Sequence, residues 1–116
     1  MKITALVMAV AMHNHVPPSL LHGIIMVESR YECGLTSATG ARGIGQVMPA
    51  TARAVGVTGS LYDCRIGAEA AARYLRLALN QSRGDWEGAA TLYNRGVGGR
   101  PSHSAYSHKV MENTRW

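Results

Sequence analysis

Glu28 is the residue in this 116-residue chain best placed to do chemistry, because of its neighbours. In "LLHGIIMVESRYE", Leu20, Leu21, Ile24, Ile25, Val27 and Tyr31 fall on one side of a helix, and Glu28 falls among them. A carboxylate on such a face loses hydration, so its neutral form is favoured and its pKa rises. That is a defect in a structural residue and an asset in a general acid, which must hold a proton near neutral pH. A residue at the edge of the stripe, reaching solvent, is the competing account of the same spacing. Just downstream, "CGLTSATGARGIGQ" carries Gly34, Gly40, Gly43 and Gly45 with neither a helical nor a strand period. It reads as a long, shaped loop whose glycines let the backbone turn at positive φ or approach something closely. A simple tight crossing would use the same residues. A phosphate cradle is a poor fit, since no "GK[ST]" follows and "GIGQVM" lacks the third glycine of a dinucleotide fingerprint.

The elements that must position these groups are helices. Ile3, Leu6, Val7, Val10 and Ala11 keep a helical spacing over about Ile3 to His13, ended by "HNHVPP". Ser19, after Pro17-Pro18, is the expected N-cap of a second helix running to about Tyr31. Pro49 opens a short helix in "PATARAV", closed by Gly56. Asp63 caps a long, alanine-rich helix from about Arg65 to Asn80, with Glu69 and Arg73 at i, i+4. Asp85 caps "WEGAATLYN", which Gly96 stops; "GVGGRPSH" is a second flexible loop, and "SAYSHKVMEN" a last amphipathic helix. No repeat, linker or alternating strand pattern appears, so residues 1–116 form one mainly α domain of about six helices with little or no β.

Composition narrows the function classes. Hydrophobic residues make up 47% and charged residues 16%, a globular balance for one modest core. The net charge of +5 comes mostly from dispersed arginines, which suits an anionic polymer but forms no basic run. With Trp86 and Trp116 far apart in the chain, neither the basic helix face nor the stacking aromatics of a nucleic-acid binder are present, and no nucleic-acid partner is expected. No apolar run is long enough to span a membrane. The start "MKITALVMAVAMH" imitates a secretory signal but is short for one, and is read as the first helix, any export signal having been trimmed from ahead of Met1. His13, His15, His22, His103 and His108 form no "HExxH" or Cys/His cluster, so neither a metal nor a cofactor is expected; His22 falls on the polar side of its helix. Met8, Met12, Met26 and Met111 are read as core filler. Cys33 and Cys64 are one bridge or two buried thiols.

Four stretches occur in an order that resembles a known family. "ESRYE", "SATGARGIGQVMPATA", "DCRIGAEAAARYL" and "AATLYNRG" look like the successive motifs of the soluble lytic transglycosylase domain, and the likeness covers nearly the whole chain. The resemblance implies a lysozyme-like fold and cleavage of peptidoglycan. It implies Glu28 as the catalytic acid and then base. Ser37, Gln46 and Met48 match positions lining the sugar subsites, and Tyr93 and Asn94 match a "YN" pair across the cleft, with Tyr93 near the glutamate. Tyr106, in "YSHKV", resembles a late aromatic lining the cleft, while Thr51 and Ala52 are packing residues. Departures are informative: Gly45 stands where the family usually has Met, which would make that wall slimmer, and "LYNRG" puts Arg95 beside the cleft. Cys33 and Cys64 replace two prolines at helix ends that pack together in this fold. The resemblance therefore implies a Cys33–Cys64 disulfide, closing a loop worth roughly 3 kcal/mol.

Hydrolytic glycosidases usually employ two carboxylates about 5–9.5 Å apart. Between Glu32 and Asp63 the chain has no acidic residue. A lone carboxylate is consistent with the lytic reaction that the resemblance implies, in which the substrate closes its own 1,6-anhydro ring. A goose-type lysozyme, which adds water, and a silent glycan-binding protein are the rival readings. The remaining expectations are a monomeric, minimal catalytic domain without a wall-targeting module. It would act on a peptidoglycan strand in the periplasm or cell envelope, with cleavage within strands favoured over cleavage at their ends. Small enzymes of this kind resemble those serving a secretion system, a conjugation apparatus or a phage.

Overall fold

The computed structural model describes residues 2–115; Trp116 lies outside the described residues. The order is α1 (Ile3–His13), α2 (Pro18–Glu28), α3 (Pro49–Ala54), α4 (Cys64–Gln81), α5 (Trp86–Arg95) and α6 (Ala105–Glu112). Among the described residues, β pairing is limited to two isolated antiparallel bridges, Thr36 with Arg42 and Arg42 with Val47, both inside the glycine-rich loop. Among the described residues, no helix is long and apolar enough to cross a membrane.

α4 is the hub. Asp63 caps it by accepting from the Ile66 amide at 3.0 Å, and its buried face is Gly67, Ala68, Ala70, Ala71, Ala72, Leu75, Ala78 and Leu79. Side chains this small let α1, α2, α3 and α5 all pack against one helix. α2 is apolar nearly all round because it lies between α1, α4 and α6, and Leu20, Leu21, Ile24 and Ile25 are fully buried. At Gly23 a Cβ would stand 2.7 Å from the Val110 carbonyl oxygen, so the missing side chain lets α6 lie against α2.

Several local expectations are corrected. Pro17, not Ser19, holds the N-cap position of α2, with Pro18 at the first helical position, where its absent N–H costs nothing. α2 stops at Glu28 rather than Tyr31, because Arg30 and Tyr31 take φ of 51° and 69°. His22 is not on a polar face: it is 8% exposed and shares a 2.7 Å hydrogen bond with the Tyr31 hydroxyl. Burial lowers the His22 pKa and pushes that of Tyr31 up to about 12. Met111 packs against the core as expected and Met26 is half-buried, but Met8 and Met12 are 41% and 63% exposed on the outer side of α1. Asp85 holds the N-cap position of α5 without capping it; its carboxylate instead meets His103 Nε2 at 3.0 Å. With Glu87 meeting His108 Nε2 at 3.1 Å, these pairs clamp the start of α6 to the start of α5. Ser104 and Ser107 form a reciprocal capping box at that same helix start.

A disulfide joins Cys33, just past α2, to Cys64, the first residue of α4, across a sequence separation of 31 residues. Closing a loop of that length contributes about 3.7 kcal/mol in the chain-entropy account. It fastens one end of the glycine-rich segment to the hub helix.

Candidate active site

The main cleft holds about 420 Å³ and is lined from α2, the loop, α3, α4 and α5. Glu28 is the only carboxylate among its lining residues. As the last residue of α2 it emerges half-buried where the apolar stripe meets the cleft. Tyr106 Oη donates to Glu28 Oε2 at 2.7 Å. Two opposed influences set its proton affinity: burial raises the pKa and the phenol's hydrogen bond lowers it, with burial the larger. The carboxyl is therefore held above the ordinary glutamate value.

The turn after Glu28 connects acid to loop. Ser29 is buried; its hydroxyl donates to the Ile44 carbonyl at 2.7 Å and accepts from the Tyr31 amide at 3.1 Å. Opposite, Tyr93 on α5 is 7% exposed and donates to the Gly45 carbonyl at 2.7 Å. Its ring meets Tyr74 edge-on at 5.3 Å, and the Tyr74 hydroxyl accepts from the Val97 amide at 2.8 Å. Burial first, then the nearby Glu28 charge, raise the Tyr93 pKa well above that of a free phenol, so it is a fixed hydrogen-bond donor.

The loop is held by its own polar groups. Ser37 Oγ accepts from the Ala41 amide at 3.0 Å, and backbone bonds pair Arg42 with Val47 in both directions. Gln46 takes φ of 50°, strained for a residue with a Cβ. Its side-chain nitrogen offsets this by donating to the Leu35 and Gly43 carbonyls at 3.1 and 3.0 Å.

Ser37, Gln46, Met48, Tyr93 and Asn94 all line the cleft with Glu28, and Arg95 is beside them. Tyr106 does not line the open space; it reaches the site by bonding the carboxylate. Thr51, read as packing, lines the cleft. Gly45 is not a slimmer stretch of wall: a Cβ there would come within 2.5 Å of Ala71 Cβ and 2.9 Å of Tyr93 Oη. The hydroxyl and α4 already occupy that space. Sequence reasoning missed Tyr74, Thr39 and the anchoring role of Ser29. Tyr74, a lone aromatic among alanines of α4, carried a readable signal; the two hydroxyl residues carried none.

Six helices around a small-residue hub, with one half-buried carboxylate facing a glycine-rich loop across a cleft, are the lysozyme-like architecture. The profile of the Transglycosylase SLT domain matches residues 5–114, and the chain belongs to that family. It is 35% identical over 109 residues to the transglycosylase of Enterobacteria phage PRD1, which covers 90% of this chain but only 40% of that protein. Among solved structures it resembles the lytic transglycosylase Slt of Pseudomonas aeruginosa, an inactive glutamate-to-glutamine mutant, with TM-score 0.75 and 25% identity over 81% of this chain and 17% of that one. The 70 kDa soluble lytic transglycosylase of Escherichia coli shares the fold at TM-score 0.75 and 22% identity, over 95% of this chain and 18% of the larger protein.

Proposed function

We propose that the protein is a peptidoglycan lytic transglycosylase that cleaves the β-1,4 bond between N-acetylmuramic acid and N-acetylglucosamine, with Glu28 as its sole general acid and base. The observation carrying this reading is the single carboxylate of the cleft, held above its usual pKa by burial and steadied by one phenol. Its family supports the reaction class. In the reaction, protonated Glu28 gives its proton to the glycosidic oxygen as the C1–O bond breaks. The substrate's N-acetyl carbonyl supports the electron-poor C1. Ionised Glu28 then takes the proton of the muramoyl C6 hydroxyl, and O6 bonds to C1. The acid is regenerated and no water is consumed. One group serves both transfers, and its raised pKa serves the first.

Ser37, Gln46, Met48 and Asn94 would contact the sugars, with Tyr93 and Tyr106 positioning the loop and the acid. A phage relative favours wall opening during phage entry or release over the secretion and conjugation settings, with action in the periplasm or cell envelope. The test is digestion of purified murein with mass analysis of the products. Ends one water lighter than a reducing sugar are expected. Ordinary reducing ends would make the protein a lysozyme, and no products would make it a glycan binder.

A further inference from the structure

A second concavity, of about 370 Å³, shares no lining residue with the cleft. The two lie on opposite sides of the same elements. In the bridged loop, Ala41 and Val47 line the cleft while Arg42 lines the second basin; on α3 and its cap, Met48 and Thr51 line the cleft while Pro49, Ala52 and Arg53 line the basin. The floor is apolar, with Ala52, Val57 and Leu61 each 8% exposed or less. Tyr62, 39% exposed, forms one side, its hydroxyl 2.6 Å from Thr36 Oγ1 and its ring under the Arg42 guanidinium at 5.9 Å.

Neither Arg42 nor Arg53 has a carboxylate partner among the described residues, whereas Arg73 is paired with Glu69 at 2.8 Å. Two unpaired guanidiniums over a shallow apolar floor suit a ligand with carboxylates and small apolar side chains. A peptidoglycan stem peptide offers both, alanine methyls together with the α-carboxylate of its γ-linked D-glutamate and its C-terminal carboxylate, and it hangs from the muramoyl sugar. Five extended residues reach about 17 Å, more than the width of one helix at about 10 Å. A stem leaving the cleft can therefore cross α3 into the basin.

We infer that the Arg42–Arg53–Tyr62 basin binds the acidic stem peptide of the strand whose sugars occupy the cleft. This rests on the function proposed above. It makes the protein a reader of peptide-bearing wall, discriminating against glycan whose stems have been removed.

The probe is a synthetic N-acetyl-L-Ala-γ-D-Glu-L-Lys-D-Ala-D-Ala peptide with free carboxylates, titrated into the isotope-labelled native protein. Shifts are expected at Arg42, Arg53, Val57 and Tyr62. Affinity should fall about fivefold for the Arg42→Ala/Arg53→Ala double variant, and by a similar factor when the peptide is amidated. Arg53→Glu, whose side chain makes no hydrogen bond or ion pair to disturb, keeps the test valid if the double variant is unstable. On intact murein both variants should raise KM about fivefold at unchanged kcat, and on stem-free glycan neither should differ from wild type. Shifts confined to the cleft, equal binding of the amidated peptide or of a neutral chitotetraose, or unchanged KM on intact murein would each overturn the inference. Wild-type protein that binds the peptide in the basin but cleaves neither substrate would support the peptide site while removing the proposed reaction.

Discussion

The two walls facing Glu28 are built differently. The loop wall, residues 33–48, is shaped by its own backbone, through bridges at Arg42 and glycines at φ of 95° and 78°, with the Gln46 side-chain amide and a disulfide at its start as anchors. The α5–α6 wall is held by side chains: phenols donating to a carbonyl and a carboxylate, a serine capping box, and surface pairs between histidines and acids. The first kind of wall fixes shape and leaves no room for an added atom at Gly43 or Gly45. The second tunes charge and responds to pH. The carboxylate sits where they meet, so each wall can be tested by what it does to that group.

The largest effect should come from the meeting point itself. Glu28→Gln is expected to lower kcat on murein about a thousandfold or more while glycan binding persists. The same variant should unfold at a higher temperature than wild type at neutral pH. The native carboxyl titrates above the unfolded value of 4.5, so the folded state holds the extra proton as pH rises from that value to the raised native one. Wild type therefore loses stability across that window and glutamine does not. Equal melting temperatures at neutral pH would show that burial at position 28 costs nothing.

Next comes the loop wall. Gly43 has φ of 78°, and a Cβ there would lie 1.9 Å from the Leu61 carbonyl oxygen. Gly43→Ala should cost about 3 kcal/mol or more in denaturant unfolding, combining left-handed strain with a clash against backbone. A loss under 1 kcal/mol would mean that this wall yields more readily than its bonding implies.

On the other wall, Tyr106→Phe removes the hydrogen bond that lowers the Glu28 pKa. The acid should keep its proton to higher pH, moving the alkaline limb of the kcat profile upward, with a several-fold loss of turnover from poorer positioning. A limb that stays put would mean that the phenol holds the carboxyl without affecting its proton.

The smallest effect belongs to His103→Gln. The hydrogen bond to Asp85, and then Glu87, raise the His103 pKa, so charged histidine favours the fold. That contribution is fullest below the ordinary histidine value of 6.5 and fades as pH climbs through the raised one. Melting curves of variant and wild type should differ slightly in acid and converge in alkali. The Gly43 neighbourhood should show no such dependence.

The same contrast explains what was legible in the sequence. Helix content, the Asp63 cap and the Glu69–Arg73 pair follow from local spacing, and Glu28 stood out because its polarity broke an apolar stripe. The loop motif marked the residues that share the cleft. What failed to show depended on where distant segments meet. His22 looked polar until Tyr31 folded back over it, and Met8 and Met12 looked like core because α1 is apolar on sides that no helix covers. Asp85 has the chemistry of a cap, yet a histidine 18 positions later claims its carboxylate. Ser29 looks ordinary until its partner Ile44 is brought up to it, and the aromatic signal of Tyr74 gives no hint that its hydroxyl meets Val97.

The Cys33–Cys64 link also gives the molecule a sense of place. In a cytosol rich in glutathione such a pair stays as two thiols, leaving the glycine-rich segment tied to the hub helix by weaker bonds alone. An oxidising surrounding closes the bond and makes that tie covalent. The protein is slackest in a reducing medium and firmest in an oxidising one.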